Sequence, residues 1–164
     1  MRRRWYVLVV GALLLMVSCS SGGEASDAPG ACSAGEDGRG VGIYKPSPPE
    51  DLLQWAGFKD IGKLEVIGAD EECGLDASAR LALRGDASAI GAALEAAEFT
   101  KPPTPGLSVF QTPLDGVDLQ SLSNVVSSEQ QRWQNSAGEQ LVRMYVRGAQ
   151  TDGHEVLHVW AFTT

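Results

Sequence analysis

The sequence predicts an α+β domain, an antiparallel sheet of about five strands with one main helix packed on one face. Three patterns carry that expectation. Short runs alternate apolar and polar residues at the two-residue period of a half-buried strand. One stretch, Ala87 to Phe99, spaces its apolar residues as a helix does. The short connections suit antiparallel neighbours, and the simplest arrangement is two layers, helix on sheet.

The elements follow in order. Pro46 to Asp51 (PSPPED) leads into Leu52, Leu53, Trp55 and Ala56, a short helix with proline and acids in its first turn and Gly57 as its stop. Lys63 to Ala69 sets Leu64 and Val66 on one face, with Lys63, Glu65 and Ile67 on the other. Ala79 to Arg84 sets Leu81 and Leu83 inward and Arg80 and Arg84 outward, and Asp70-Glu71-Glu72 reads as a solvated start to the connection between them. Gly85-Asp86 turns into the helix 87–99, capped by Asp86 or Ser88. Its stripe is Ile90, Ala93, Leu94 and Ala97, while Glu95 and Glu98 face water. Lys101 to Gly106 contains three prolines and breaks regular structure. Leu107 to Leu122 reads as an irregular cover over the sheet or as a binding loop, and 125–134 fits either strand or helix. Asn135 to Gly138 turns into a strand over 140–147, and Asp152-Gly153 into a last strand over 154–163.

The last two strands hold the candidate binding residues. Arg143, Tyr145 and Arg147 alternate onto one side of their strand, and His154, His158, Trp160 and Phe162 onto one side of theirs. If those sides coincide, Arg143, Tyr145, Arg147, His158 and Trp160 form a face of aromatics and cations suited to gripping a partner. A one-residue slip would bring Leu157, Val159 and Ala161 to that face instead and leave Trp160 and Phe162 as core aromatics.

The N-terminus fixes compartment. Three arginines, thirteen residues from Trp5 to Val17 and Ser18 before Cys19 make a secretory signal, because the apolar run is shorter than the ~20 residues a bilayer-spanning helix needs. Met16-Val17-Ser18-Cys19 resembles the lipobox of bacterial lipoproteins, with Met16 where that family prefers Leu, Val or Ile. The resemblance implies cleavage after Ser18, acyl chains such as palmitate on Cys19, and a protein held on the extracytoplasmic side of the cell membrane. Residues 1–18 are then signal peptide, 19–40 a lipidated cysteine and flexible tether rich in Gly, Ser, Ala and Asp, and 41–164 a single domain. With Cys19 acylated, Cys32 and Cys73 remain as an even pair in an oxidising compartment and are expected to form a disulfide. Such a bridge would close a ~40-residue loop, contributing about 4 kcal/mol in the chain-entropy account.

Charge and motifs narrow the function. Loss of Arg2, Arg3 and Arg4 with the signal leaves ten basic against 21 acidic residues, a net charge of −11. An acidic domain of this kind disfavours nucleic acid, and contact with lipid falls to Cys19. The chain has no glycine-rich phosphate loop, nucleophile elbow or CxxC pair. His154-Glu155-Val156-Leu157-His158 matches H-E-x-x-H and so resembles the zinc-protease signature, which needs a helix to bring two histidines onto one ion. The surrounding residues favour a strand, where those histidines stand ~13 Å apart, so neither metal nor cofactor is expected. The sequence thus reads as a surface-tethered, non-catalytic module for a protein or small-molecule partner. The alternatives are a small structural envelope lipoprotein and, behind it, a zinc hydrolase.

Overall fold

Seven antiparallel strands form one sheet in the computed structural model, which describes residues 46–164 apart from Leu75, Val109 and Phe110. They are β1 (Glu65–Cys73), β2 (Ala77–Gly85), β3 (Thr104–Pro105), β4 (Ser123–Ser127), β5 (Gln131–Gln134), β6 (Gln140–Ala149) and β7 (Glu155–Thr163). Their order is β1-β2-β7-β6-β4-β3, with β5 also paired to β6. Two helices, α1 (Pro49–Trp55) and α2 (Ala87–Ala96), both expected from the sequence, complete an α+β fold whose sheet has two more strands than the expected outline. The signal peptide, Cys19, the tether and Cys32 lie outside the described residues.

The extra strands come from two places. Residues 125–134, ambiguous in the sequence, divide into β4 and β5, which share one edge of β6 because β7 holds the other. Ser128 fills the gap between them. Its N–H donates to Tyr145 O at 2.9 Å and its hydroxyl accepts from Tyr145 N at 2.8 Å, so the ladder stays satisfied where the strand breaks. The two-residue β3 then pairs with β4. Asp70-Glu71-Glu72, expected in a connection, belongs to β1, where Asp70 holds Arg80 across the ladder. β1 is the last strand on its side of the sheet among the described residues, with an irregularity between Val66 and Gly68, and Glu71 there accepts from the N–H and hydroxyl of Ser47.

Both helices end the same way. In α1 the N–H of Gly57 bonds Gln54 O and that of Phe58 bonds Leu53 O; in α2 the N–H of Glu98 bonds Glu95 O and that of Phe99 bonds Leu94 O. These are paired Schellman closures, with Gly57 (φ 99°) and Glu98 (φ 60°) as the left-handed residues. The second closes α2 at Ala96, short of the expected Phe99. A glutamate in the left-handed region costs about 1–2 kcal/mol, and the return is the placement of Phe99. Asp86 is the N-cap residue of α2, although its side chain makes no capping bond.

The sheet is covered on both faces. On one, Leu52, Leu53 and Trp55 of α1 and Ile90, Ala93 and Leu94 of α2 join Leu81, Leu83, Leu157 and Val159 in the main core. On the other, Leu119 and Leu122 from the segment before β4 pack on Met144, Val146, Val156 and Trp160. The segment over 111–122 is therefore an irregular cover, and the expected two layers become three. Leu114 of this cover sits against Gly68, where a Cβ would meet the leucine side chain inside van der Waals contact.

Candidate functional site

The hairpin register decides the fate of the expected binding face. β6 and β7 pair Arg143 with Ala161, Tyr145 with Val159 and Arg147 with Leu157. Arg143, Tyr145 and Arg147 therefore lie on the helix face of the sheet, and His158 and Trp160 on the cover face. Arg143, Tyr145, His158 and Trp160 are all buried as well, which corrects the expectation of one shared exposed surface. The cause is the loop. A two-residue Asp152-Gly153 turn would pair odd with even positions, whereas the five residues Gln150–His154 separate Ala149 from its partner Glu155, so odd pairs with odd. Gln150 N to His154 O at 2.7 Å closes that loop. Arg147 alone keeps moderate exposure, 3.8 Å from Glu155.

On the helix face, Arg143 is 0% exposed. Its guanidinium lies against two rings, 4.4 Å from the Phe99 centroid and 4.1 Å from that of Trp133. Nη1 donates to Ala56 O at 2.8 Å, at the C-terminus of α1. The cation is thus stabilised by two π faces and by the negative end of a helix. Gly57 makes the approach possible, since a Cβ there would overlap Nη1. Burial lowers the Arg143 pKa to about 10, with Glu98 acting in the opposite direction, and the group stays charged at neutral pH. Nε and Nη2 have no acceptor among the described residues. Phe99 also meets Tyr145 edge-on at 5.2 Å, and burial raises the pKa of that phenol.

On the cover face, His158 is likewise 0% exposed and lies 4.0 Å from Trp160, ring centre to ring centre. Its Nε2 accepts from Leu114 N at 2.8 Å, which puts the proton on Nδ1. Trp160 Nε1 donates to Thr112 O at 2.9 Å. Two neighbouring side chains of β7 thereby strap the cover to the sheet. Burial first, and the nearby Arg80 second, push the His158 pKa down to about 4, so the imidazole is neutral at pH 7.

Two hollows flank this strap. One, of about 210 Å³, is lined by Glu72, Ser78, Arg80, Gln111, Thr112, Trp160 and Phe162 among others, with Arg80 held by Asp70 through bonds of 2.8 and 2.6 Å. The other, of about 250 Å³, lies over Met144 between Thr104, Ser108, Ser128 and Gln130, and also takes Gln111 as a wall. Met144 and Trp160 are cross-strand partners, so the hollows are neighbours that meet at Gln111. Gln111 and Thr112 escaped the sequence reading because nothing in a polar loop signals which sheet face it will cross, and Glu72 and Arg80 read only as part of a solvated connection and as an outward side chain. Trp133 and Phe99 escaped it too; an unexplained Trp in a polar run was the available signal.

The H-E-x-x-H segment runs into β7 and is not helical. Strand spacing separates its histidines by ~13 Å, and His158 Nε2 is engaged by the Leu114 N–H. No group of three His, Cys, Asp or Glu placed to hold a metal occurs among the described residues. No described helix is long and apolar enough to cross a membrane. Cys73 ends β1 on the outer edge of the sheet, and its expected partner Cys32 lies outside the described residues. No protein-family model, curated protein or solved structure matches this chain.

Proposed function

We propose that the chain is a lipid-anchored interaction module of the extracytoplasmic membrane surface, without catalysis, whose working surface is the cover face of the sheet. The observation that carries this reading is the meeting of the two hollows at Gln111. Each is smaller than the roughly 300–1,000 Å³ of an ordinary small-molecule cleft. That size suits a side chain or short segment of a protein partner, which can lie across both. Polar groups of Arg80, Gln111 and Thr112 beside Trp160 and Phe162 offer the mixture of orientation and apolar contact such recognition uses. Anchoring follows from the signal and Cys19, and a Cys32–Cys73 bridge would tie the tether to the outer edge of β1.

A structural envelope role is the second reading, favoured by burial of both faces of β6 and β7. Photo-crosslinking in living cells separates the two. A benzophenone side chain at Gln111 should give a discrete adduct that the same group at the exposed Glu95 of α2 does not. Equal adducts from both positions, or none from Gln111, would favour the structural role. Replacement of Cys19 by Ser should release the protein from the membrane, and unchanged retention would remove the anchor from the proposal.

A further inference from the structure

We propose that Arg143 is a carboxylate-binding site, closed in this structure beneath the Trp133 indole and distinct from the hollows of the cover face. The argument begins with which donors are used. A guanidinium offers a side-on fork, Nε with Nη2, whose two parallel N–H groups match the two oxygens of a carboxylate. Arg80 uses that fork in this same chain, with Nε on Asp70 Oδ1 and Nη2 on Asp70 Oδ2. Arg143 spends only Nη1, on Ala56 O, and the two atoms left without an acceptor are Nε and Nη2. Buried polar groups in folded proteins are nearly always paired, so an intact bidentate fork left over on a fully buried cation points to a ligand.

The surroundings select the ligand's shape and charge. Phe99 and Trp133 each set a ring face against the guanidinium, with centroids 4.4 and 4.1 Å from Cζ, so the space beside the fork is bordered by aromatic surface. A planar carboxylate can lie in the plane of the fork with both oxygens paired, whereas a tetrahedral phosphate also projects oxygens out of that plane toward aromatic surface. The acid that acts on Arg143 is Glu98, but its exposed carboxylate accepts from Trp133 Nε1 at 3.0 Å and does not bond the fork.

The polar ties of the lid lie at the surface. β5 is four residues long and pairs only with β6. Its ties to the chain after α2 are side-chain bonds at the surface: Gln131 Nε2 to Glu98 O, Thr100 N to Gln131 Oε1, and the Trp133–Glu98 bond. Exposed bonds of this kind contribute little against water, so outward rotation of the indole gives up mainly its contact with the guanidinium and its packing at the edge of the core, which a bound carboxylate must offset. Because the open form is the minor one, apparent affinity is reduced by its population, and loosening the lid should increase it.

The test uses the purified protein and follows the Arg143 Nε–H and Trp133 indole resonances by NMR. Benzoate and a short peptide with a free C-terminus are titrated against chloride, inorganic phosphate and the same peptide amidated, all at one ionic strength. The expected result is a saturable shift of both resonances with a carboxylate only. Trp133→Phe, which removes the bond to Glu98, should lower the apparent Kd several-fold, and Arg143→Lys, which keeps the charge and loses the fork, should abolish the response. Benzoate without the peptide identifies a free acid as ligand; the peptide without benzoate identifies a chain terminus. Equal shifts with chloride, phosphate or the amidated peptide would overturn the proposal. So would silence in both the native protein and Trp133→Phe. A fork that responds to Glu98→Gln and to no added carboxylate would show Glu98 to be its partner and would equally refute the proposal.

Discussion

The burial of His158 makes a quantitative statement about pH. In the native state its pKa is about 4, against 6.5 for the exposed group, because burial and then Arg80 disfavour the charged form. Between those values the unfolded chain binds a proton that the folded chain refuses. Stability therefore falls as pH drops below about 6.5 and the loss is complete near pH 4. At 1.36 kcal/mol per pKa unit the full effect is about 3 kcal/mol, of which about 2 kcal/mol develops between pH 7 and pH 5. Carboxylates also titrate in this range, so the informative quantity is a difference. His158→Gln keeps an acceptor for Leu114 N–H and cannot take up a proton. Urea unfolding of both proteins from pH 7 to pH 5 should show the native protein losing about 2 kcal/mol more than the variant. Parallel curves would mean that His158 is accessible or paired in solution, and the strap that it forms with Leu114 would have to be abandoned.

Three further outcomes are expected. Gly57→Ala should destabilise by about 2 kcal/mol or more, since φ is 99° and the new methyl overlaps the Arg143 guanidinium; a change below about 0.5 kcal/mol in urea unfolding would contradict the placement of Arg143 against α1. Trp160→Phe removes the bond to Thr112 O at a cost of about 1 kcal/mol, and amide exchange at Leu114 should quicken while exchange in α2 stays unchanged; uniform acceleration would show that the cover does not open separately. Non-reducing peptide mapping should return Cys32 joined to Cys73, and two free thiols in the undenatured protein would refute that bridge.

How much of this was legible beforehand differs by level. Local patterns held well. The alternation in Ala79 to Arg84 and Gln140 to Arg147, the stripe of α2, and the irregular cover before β4 are all where the sequence places them. What failed depended on a single count. Whether Arg143 and Trp160 share a face turns on the parity of one loop, and Asp152-Gly153 advertises a two-residue turn that the chain does not make. The split of 125–134 was equally out of reach, because it requires knowing that β6 offers one free edge long enough for two short strands. Arg143 and His158 looked like surface residues by type. Their burial needs Phe99 and Trp133 on one side and Leu114 on the other, contacts 44 residues apart along the sequence in the Leu114–His158 pair alone.

The central claim, that a partner's side chain or segment docks across the cover face, is tested most directly by chemical-shift mapping with a panel of short synthetic peptides and side-chain analogues. Binding at the paired hollows predicts shifts that converge on the Trp160 indole and on the amides of Gln111 and Thr112, with α2 silent. Ser78→Trp, which places a ring in the hollow beside Arg80 and Trp160, should suppress them while leaving unfolding cooperative. Shifts centred on α2, or a response that survives Ser78→Trp unchanged, would contradict the account and move the working surface elsewhere.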